Sequence, residues 1–339
     1  MKVDEMVAGT RHGTGLFDMA HRGLLEVTGA DRVRWLDGMI SGDVQAIEAA
    51  ESGSGAGCYA LLLTNRGAIV ADFHVGRIGD VYFLESLRSE MPRIREVLDR
   101  YIIADDVELK DCSDEWLAVG IEGPGSTALI EAVAGPAAAG LEKEGWMRAS
   151  IADRNVLIAA FGWTGEAAFQ LRMAPADRIP VEDALVKAAA DAEHELVRGS
   201  SAALEILRVE AGIPLLAAEL DEEVLPPEAR LEGAISTTKG CYIGQEIVAR
   251  LRARGQVQHL LVGLRLESES ELESLPPPET RLSSDGRVTG ELTSVVRSPT
   301  EGPIALGYVR REHSEIGTAV EFDGGRGTVA SLPFQADVP

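Results

Sequence analysis

The chain has 339 residues, 45% of them hydrophobic, and its 32 Lys and Arg residues against 55 Asp and Glu residues give a formal net charge of -23. Single hydrophobic cores rarely serve more than ~250–300 residues, so we expect two or three subdomains. A surface this acidic repels phosphate groups, which argues against direct binding of nucleic acid or of an anionic membrane. The same charge fits a halophilic source, because salt screens the repulsion between carboxylates.

The three cysteines, Cys58, Cys112 and Cys241, lie in distant segments without Cys-x-x-Cys spacing or histidines nearby. This pattern argues against a disulfide framework and against a metal site, and we interpret all six histidines as structural or surface residues. The first ten residues lack an apolar core of signal-peptide length, and no apolar run of about 18 residues occurs. A soluble cytoplasmic protein is the simplest interpretation.

The predicted elements mix helices with antiparallel strands. In chain order they are a helix at 31–40, a flexible glycine-rich connection at 51–57, strands at 59–63, 69–75 and 81–84, a helix at 91–103, a strand at 116–121, a helix at 127–133, strands at 156–161 and 168–173, and helices at 181–192 and 202–212. The first two strands are separated by Thr64-Asn65-Arg66-Gly67, which predicts a hairpin. This mixture predicts an α+β fold rather than a doubly wound parallel sheet.

The sequence pattern changes after Gly255 to short strand-like runs divided by Gly, Pro and Ser clusters. These runs are 257–266, 288–296, 304–309 and 319–322. They predict a small all-β barrel or jelly roll. We therefore divide the chain into residues 1–255, with two or more α+β subdomains, and a C-terminal barrel of residues 256–339. The acidic stretch 268–278 is predicted to be an exposed loop.

The segment Lys239–Glu246, with the sequence Lys-Gly-Cys-Tyr-Ile-Gly-Gln-Glu, immediately precedes a predicted helix that ends at Gly255. A cysteine close to a helix N-terminus and two residues from a lysine is exposed to a positive dipole and a cation, which both favour the thiolate. Cys241 is therefore a candidate reactive thiol. The alternative is a small buried residue that packs beneath a glycine-flanked turn.

The residues around Cys241 are also typical of ligand binding. Glycines on both sides of Tyr242 favour a close approach of the backbone to a flat ligand, with the aromatic ring available for stacking. Gln245 and Glu246 can hydrogen-bond the polar edge of a ring. A reduced pterin has these properties.

The Lys239–Glu246 segment resembles the signature of the folate-binding YgfZ family, whose members support the maturation or repair of iron–sulfur enzymes. Other blocks, in the same order, are similar to blocks of the related glycine-cleavage aminomethyltransferases: Val27–Arg32 with Ser41–Val44, the Gly67–Val75 hairpin, Glu122–Pro124, Gly162–Glu166 and Leu207–Pro214. The resemblance implies a GcvT/YgfZ-like fold of mixed α/β subdomains around a central cavity, closed by a C-terminal β-barrel. It also implies tetrahydrofolate or another reduced folate as the ligand.

Asp72 lies where the aminomethyltransferases carry a pair of aspartates, one of them near the reactive folate nitrogen. This chain keeps the second aspartate and has Ala71 in place of the first. A carboxylate there can act electrostatically or in proton transfer. The alternative is an outward-facing, solvated strand residue.

The resemblance also assigns roles outside the Lys239–Glu246 segment. Glu166 resembles the glutamate that hydrogen-bonds the pterin, although a solvated acid in a turn is the alternative, and Trp163 offers a stacking face. Arg208 either binds the glutamate tail of folate or forms an intrahelical pair with Glu210. The predicted catalytic residues are Cys241 and Asp72, no metal ligand is predicted, and the predicted folate-binding residues are Lys239, Tyr242, Gln245, Glu246, Glu166, Trp163 and Arg208.

Three functions stay open at this point. The first is a folate-dependent accessory protein in iron–sulfur cluster maturation or repair, with iron–sulfur proteins or their assembly factors as partners. It is favoured by the Lys239–Glu246 segment and by Ala71 and Leu204, where the aminomethyltransferases carry aspartate and arginine. The second is an aminomethyltransferase that moves a methylamine from a lipoyl carrier protein to tetrahydrofolate, favoured by Asp72 and Glu166. The third is a noncatalytic folate-binding module.

Overall fold

The computed structural model describes residues 1–47, 54–268 and 275–334; residues 51–53 of the predicted connection and 269–274 of the predicted acidic loop lie outside these ranges. The helices are α1 (Val3–His12), α2 (Arg32–Met39), α3 (Met91–Asp99), α4 (Ser126–Ala134), α5 (Pro136–Ala139), α6 (Arg178–Asp191), α7 (Ser201–Ala211) and α8 (Gln245–Arg254). The strands are β1 (Thr14–Asp18), β2 (Arg22–Thr28), β3 (Ser54–Gly55), β4 (Gly57–Leu63), β5 (Ile69–Ile78), β6 (Val81–Leu87), β7 (Glu108–Asp111), β8 (Leu117–Glu122), β9 (Trp146–Ile151), β10 (Arg154–Ala159), β11 (Ala168–Met173), β12 (Leu196–Arg198), β13 (His259–Ser268), β14 (Arg281–Ser284), β15 (Arg287–Ser298), β16 (Gly302–Arg310), β17 (Ala319–Phe322) and β18 (Gly325–Ala330).

The described strands form two sheets and a barrel. A five-stranded sheet has the order β4-β5-β6-β2-β7, and a seven-stranded sheet has the order β12-β1-β8-β11-β10-β9-β3. Strands β1 and β12 are parallel, whereas the other pairings in these sheets are antiparallel. Strands β13-β16-β15-β14-β17-β18 close into a barrel. The predicted α+β fold with a C-terminal β-barrel is confirmed.

The β4–β5 hairpin forms where the sequence predicts it. The amide of Thr64 donates to the carbonyl of Ala68 at 2.8 Å, and the amide of Gly67 donates to the carbonyl of Thr64 at 2.8 Å. Gly67 has a φ of +80°, a left-handed conformation that glycine adopts without steric penalty. The turn places Asp72 in the first half of β5.

The helices that flank this sheet are close to their predicted positions, with one correction. Helix α2 begins at Arg32 as expected, but α3 ends at Asp99 rather than at residue 103. Ile103 is 89% exposed, so the apolar face that holds α3 on the sheet does not continue to the predicted end.

Helix α7 has well-defined ends. The Ser200 side chain accepts a hydrogen bond from the amide of Ala203, and Gly212 closes the helix with a φ of +70°. An N-cap serine and a left-handed C-terminal glycine satisfy backbone groups that a helix end leaves unpaired. These caps fix the position of Arg208 on α7.

The two faces of the five-stranded sheet have different partners. One face packs on α2 and α3, and its core includes Leu36, Ile94 and Leu98. The opposite face meets the seven-stranded sheet, where Phe83 packs with Trp146 and Phe161. The interface between the two sheets therefore lies inside the first region of the chain.

The barrel is joined to the preceding region through Glu219. The Tyr308 hydroxyl donates to the Glu219 carbonyl at 2.9 Å, and the Ser294 hydroxyl donates to its Oε1 at 2.6 Å. Helix α8 ends at Arg254 and β13 begins at His259. The domain boundary at residue 255 stays a prediction. Among the described helices, none is both long enough and apolar enough to cross a membrane.

Candidate functional site

A polar strip crosses the five-stranded sheet on the face that meets the seven-stranded sheet. His74 on β5 pairs with Tyr59 on β4 and with Glu85 on β6. Residues that are directly opposite in a sheet, and residues two apart in a strand, share a face. Asp72 and Arg22 therefore lie on this face too, because Asp72 is two residues from His74 and Arg22 pairs with Leu87, two residues from Glu85. The polar strip is Arg22, Tyr59, Asp72, His74 and Glu85.

Glu85 carries two ion pairs at the centre of the strip. Its Oε1 lies 3.1 Å from Nε of Arg22, and its Oε2 lies 2.7 Å from Nη2 of Arg172 on the seven-stranded sheet. Burial raises the pKa of Glu85, but the positive charges of Arg172 and Arg22 outweigh burial and lower it overall. The carboxylate stays ionised, and it joins the two sheets.

Arg22 is only partly satisfied by these contacts. Its side chain is fully buried, and its guanidinium carbon lies 4.4 Å from the centre of the Trp163 ring. Within the described residues, neither Nη1 nor Nη2 of Arg22 has a hydrogen-bond partner. The Trp163 ring, predicted to stack on a ligand, therefore stacks on the buried Arg22 guanidinium group, whose Nη1 and Nη2 donors are free.

Asp72 is 1% exposed, so the alternative of a solvated strand residue is wrong. Its Oδ2 accepts a hydrogen bond from the Tyr59 hydroxyl at 2.9 Å, whereas its Oδ1 has no partner in the described part of the chain. Burial and the neighbouring Asp72 charge raise the pKa of Tyr59 well above its usual value, so the phenol stays protonated and donates. Asp72 offers one free acceptor to a ligand.

His74 joins these groups, although we interpreted it from the sequence as structural or surface. Its Nδ1 lies 2.8 Å from Oε2 of Glu144. Its ring stacks on Phe161 with centroids 3.7 Å apart, and it is 5.0 Å from the Tyr59 ring and 5.7 Å from the Trp163 ring. The contacts form a continuous path from Asp72 to Arg22.

Glu122 holds the turn that carries Trp163. Its Oε2 accepts from the Trp163 amide at 3.0 Å and from the Thr164 hydroxyl at 3.1 Å, and its Oε1 accepts from Gln170 at 3.0 Å. Burial raises the pKa of Glu122 to about 7, and these hydrogen bonds only partly oppose it. This role of Glu122 was not predicted from the sequence, although Glu122 begins one of the blocks similar to the aminomethyltransferases.

Glu166 lies on the same turn, after Trp163 and Thr164. Its side chain is 34% exposed and forms an ion pair with Arg11, whose Nη1 lies 3.3 Å from its Oε1. The ligand role predicted for Glu166 stays a prediction.

Arg208 is buried and its guanidinium group is occupied by protein acceptors. It donates to Glu205 at 2.9 Å, to Glu219 at 3.0 Å and to Ser294 at 2.7 Å. The alternative of a solvent-exposed intrahelical pair with Glu210 is wrong, because Arg208 is 3% exposed and forms its ion pairs with Glu205 and Glu219. The structure thus gives Arg208 a contact with the barrel.

Lys239 anchors the start of the Lys239–Glu246 segment. Its Nζ donates to the carbonyl oxygens of Asp37 at 2.5 Å, Ile40 at 2.8 Å and Gly42 at 2.6 Å, and it lies 3.1 Å from Oδ1 of Asp37. Burial lowers the pKa of Lys239, and the hydrogen bond and charge of Asp37 oppose this effect. The ammonium group caps the C-terminal end of α2. The predicted effect of Lys239 on the Cys241 thiol and its predicted role in folate binding both stay predictions.

The rest of the segment divides into packed and exposed residues. Tyr242 belongs to the core of the first region, and Lys239 Nζ lies 5.5 Å from the centre of its ring. Cys241 is exposed, and the alternative of a buried packing residue is wrong. Helix α8 begins at Gln245, so Cys241 lies just before its N-terminus, as the sequence predicts. Glu246 is exposed and pairs with Arg250 at 2.9 Å.

At Gly244 the Lys239–Glu246 segment packs against the turn between β4 and β5. It has a φ of +83°, and a Cβ atom there would lie 2.6 Å from the carbonyl oxygen of Thr64. The amide of Gln245 donates to the carbonyl of Tyr242 at 3.2 Å, and the Gln245 side chain donates to the carbonyl of Gly240 at 3.5 Å. The two halves of the predicted site are thus connected through the hairpin, with Asp72 in its strand and the segment on its turn.

None of the predicted site residues lines the described surface hollows. A hollow of about 930 Å³ lies on the barrel beside Glu267 and Phe322, and one of about 230 Å³ lies between α8 and the barrel. A third, of about 200 Å³, is lined by Arg22, Arg88 and Trp116. This third hollow reaches the polar strip.

Residues 2–239 match the family described as the GCVT N-terminal domain, and residues 260–334 match the glycine cleavage T-protein C-terminal barrel domain. The chain belongs to the glycine cleavage T-protein family. An aminomethyltransferase of Saccharopolyspora erythraea is 30% identical over 96% of this chain and 87% of that protein.

Other relatives of this T-protein family member have similar coverage. An aminomethyltransferase of Thermus thermophilus is 29% identical over 98% of this chain and 90% of that protein, and a putative chloroplastic transferase of Arabidopsis thaliana is 27% identical over 98% and 74%. The crystal structure of the glycine cleavage system aminomethyltransferase T from Bartonella henselae has a TM-score of 0.82 at 22% identity, and the match covers 98% of this chain and 89% of that one. The T-protein fold therefore extends over nearly the whole chain.

Proposed function

We propose that the protein binds a reduced folate between its two sheets and transfers an aminomethyl carbon to it, as an aminomethyltransferase does. The observation that carries the proposal is Asp72, a buried carboxylate with one oxygen held by Tyr59 and the other free. A buried acceptor without a partner is unfavourable, and ligand-binding sites are where such groups are retained. The names of the relatives support the same activity.

The residues of the polar strip suit a reduced folate. Asp72 offers an acceptor for a ring or bridge N–H, Arg22 offers donors, and Trp163 and His74 offer aromatic faces. Phe161 lies on His74 with the two rings 4° from parallel, an arrangement that a flat ligand ring would also adopt. Phe161 must move aside for a ligand to stack there.

The proposed reaction moves a CH₂ group from the lipoyl sulfur to nitrogen atoms of the folate, and its bonds to the sulfur and to the amine nitrogen break. Tetrahydrofolate, when bound, supplies the two nitrogens that receive the CH₂ group, while the lipoyl sulfur regains a proton and ammonia leaves. Asp72, as a buried anion, stabilises positive charge that develops on the attacking nitrogen and accepts its proton. Tyr59 keeps the accepting carboxylate in position.

The test combines calorimetric titration with tetrahydrofolate at high salt and an assay for methylene-tetrahydrofolate from an aminomethylated lipoyl carrier protein. We expect wild-type protein to bind and turn over. Asp72→Asn should reduce kcat by at least about 100-fold and should leave the dissociation constant within a few-fold of wild type. Asp80→Asn is the control, because it changes an exposed carboxylate that forms an ion pair with Arg32. Wild-type protein that binds folate without turnover would reject the transferase and favour the iron–sulfur accessory role over it, with the noncatalytic folate-binding module as the other remaining function.

A second candidate function is favoured by Cys241. Its thiol is exposed, while Lys239 and Gly244 on either side fix the backbone against α2 and the hairpin turn. A thiol presented on an anchored surface segment suits contact with another protein, as in iron–sulfur cluster maturation or repair. The partners would then be iron–sulfur proteins or their assembly factors.

Cys241→Ser tests this second candidate. The exposed position predicts an unchanged thermal midpoint, whereas the activity of iron–sulfur enzymes in cells that depend on this protein should fall. Cys58→Ala is the control, because burial raises the pKa of the Cys58 thiol to about 12 and makes it unreactive at neutral pH. Full complementation by Cys241→Ser would remove the iron–sulfur role of this thiol.

A further inference from the structure

Arg22 has more hydrogen-bond donors than the described chain uses. It is 1% exposed, and its Nε donates to Oε1 of Glu85 at 3.1 Å. Four of the five guanidinium N–H groups belong to Nη1 and Nη2, which have no partner among the described residues. A buried cation with unpaired donors is strongly unfavourable unless an acceptor completes it. Arg22 therefore requires an acceptor at this position.

The surrounding charges determine what kind of acceptor fits. Glu85 touches Arg22 directly, Asp72 lies on the same sheet face, and Glu144 lies 2.8 Å from His74 in the same cluster. Arg172 also lies against Glu85, but the three carboxylates still outnumber the two arginines, so an added anion would be repelled overall. A neutral carbonyl oxygen accepts the same hydrogen bonds without adding charge. The polar strip therefore favours a carbonyl over a carboxylate or a phosphate.

Asp72 supplies the complementary end of the site. Strands β2 and β5 are separated by β6, so their backbones lie about 10 Å apart. Between Arg22 and Asp72 the Trp163, His74 and Tyr59 rings follow one another, with centroid distances of 5.7 Å and 5.0 Å between neighbours. A flat bicyclic ring that carries a carbonyl and a neighbouring N–H group on one edge can contact both Arg22 and Asp72 across this arrangement.

We propose that Arg22 recognises the ring carbonyl of the bound reduced folate through Nη1 and Nη2, while Asp72 faces the N–H side of the ring. This inference rests on the proposed function, and it identifies the residue that recognises the folate ring at that site. Neither Glu166, which pairs with Arg11, nor Arg208, which is occupied by Glu205, Glu219 and Ser294, has this role.

Arg22→Lys is the discriminating variant. Lysine keeps a positive charge for Glu85 but lacks the planar pair of Nη donors. The probes are tetrahydrofolate, 6-methyltetrahydropterin, which has only the ring, and p-aminobenzoylglutamate, which has only the tail. We expect calorimetry at high salt to show dissociation constants raised about 10- to 100-fold for the first two probes, with an unchanged value for the third. Arg34→Lys, at an exposed arginine paired with Asp105, should bind all three as wild type does.

Each other outcome has a definite meaning. An Arg22→Lys variant that binds the two ring-containing probes as wild type does overturns the inference and leaves the proposed function standing. A variant that loses affinity for the tail fragment shows that Arg22 reads a carboxylate, which also overturns it. Wild-type protein that binds no probe rejects the proposed function and the inference together. If Arg22→Lys does not fold, Arg22→Met replaces it, because Arg172 still neutralises Glu85 there.

Discussion

The hydroxyl of Tyr59 lies 2.9 Å from Oδ2 of Asp72 and donates a hydrogen bond to this buried carboxylate. The two residues lie on the paired strands β4 and β5, so the sheet itself fixes their separation. Asp72 is thereby held with one oxygen occupied and the other available to a ligand.

Tyr59→Phe removes this hydrogen bond without changing the ring that packs beside His74. We expect kcat for methylene-tetrahydrofolate formation to fall about 10-fold, with a smaller change in KM, because the carboxylate loses the group that positions it. Steady-state kinetics at several pH values give both constants. Tyr101→Phe is the matched control, since the Trp35 side chain donates to the Tyr101 backbone carbonyl rather than to its hydroxyl. Equal kcat values for Tyr59→Phe and wild type would show that the hydrogen bond has no catalytic role.

Glu122 should make stability depend on pH. Burial raises its pKa from 4.5 to about 7, so the folded protein binds the proton more tightly than the unfolded chain. Its contribution to stability is therefore complete below pH 4.5, decreases as the pH rises through about 7, and is then about 3 kcal/mol smaller. Denaturant unfolding of wild type and Glu122→Gln at pH 5 and pH 8 measures this change.

Glutamine cannot ionise, so the stability difference between Glu122→Gln and wild type should shift in favour of the variant at pH 8. Glu131→Gln, at an exposed position on α4, should show no such shift. The same difference at both pH values for Glu122→Gln would contradict the raised pKa.

The two glycines of the Lys239–Glu246 segment should respond differently to alanine. Gly244 has a φ of +83° and a Cβ there would lie 2.6 Å from the Thr64 carbonyl oxygen, so Gly244→Ala should destabilise the fold by about 2 kcal/mol or more. Gly240 has no atom within 4 Å of a Cβ, so Gly240→Ala should change stability by less than about 0.5 kcal/mol. Thermal unfolding compares the two. Equal effects would contradict the contact with the hairpin turn.

Lys239→Met should act on stability rather than on the Cys241 thiol. The change leaves Asp37 and the carbonyl oxygens of Ile40 and Gly42 without their buried cation, which costs about 3 kcal/mol or more. The rate of Cys241 alkylation against pH, measured under folding conditions, should match wild type. Lys187→Met, at an exposed lysine on α6, is the control. A slower alkylation in Lys239→Met with unchanged stability would restore the cation–thiolate hypothesis.

Much of the fold was predictable because its signals are local. Apolar residues at helical spacing placed α2, the turn sequence before Gly67 placed the hairpin, and short alternating runs after Gly255 placed the barrel. The end of α3 was missed because Ile103 is apolar but exposed.

The halophilic source stays a prediction, and its test is whether thermal stability falls as salt is lowered.

The polar strip could not be predicted in the same way. Arg22 and Glu85 are 63 residues apart, and Glu85 and Arg172 are 87 apart, so sequence spacing does not reveal their contact. The available signal was a charged residue within an apolar strand, as for Glu85 between Leu84 and Leu87. The Lys239–Glu246 segment was conspicuous in sequence, but its spacing could not show that the lysine donates to acceptors at the end of α2.

The contacts of Glu219 limit how freely the barrel can be exchanged between relatives. Arg208 and Glu219 are buried on the first region, while Ser294 and Tyr308, which complete their hydrogen bonds, belong to the barrel. A chimera that receives a barrel with apolar residues at these two positions would bury an incompletely paired arginine and glutamate. Recombination within the family should therefore retain only barrels that supply equivalent hydroxyl groups, so the two parts of the chain are inherited as a matched pair.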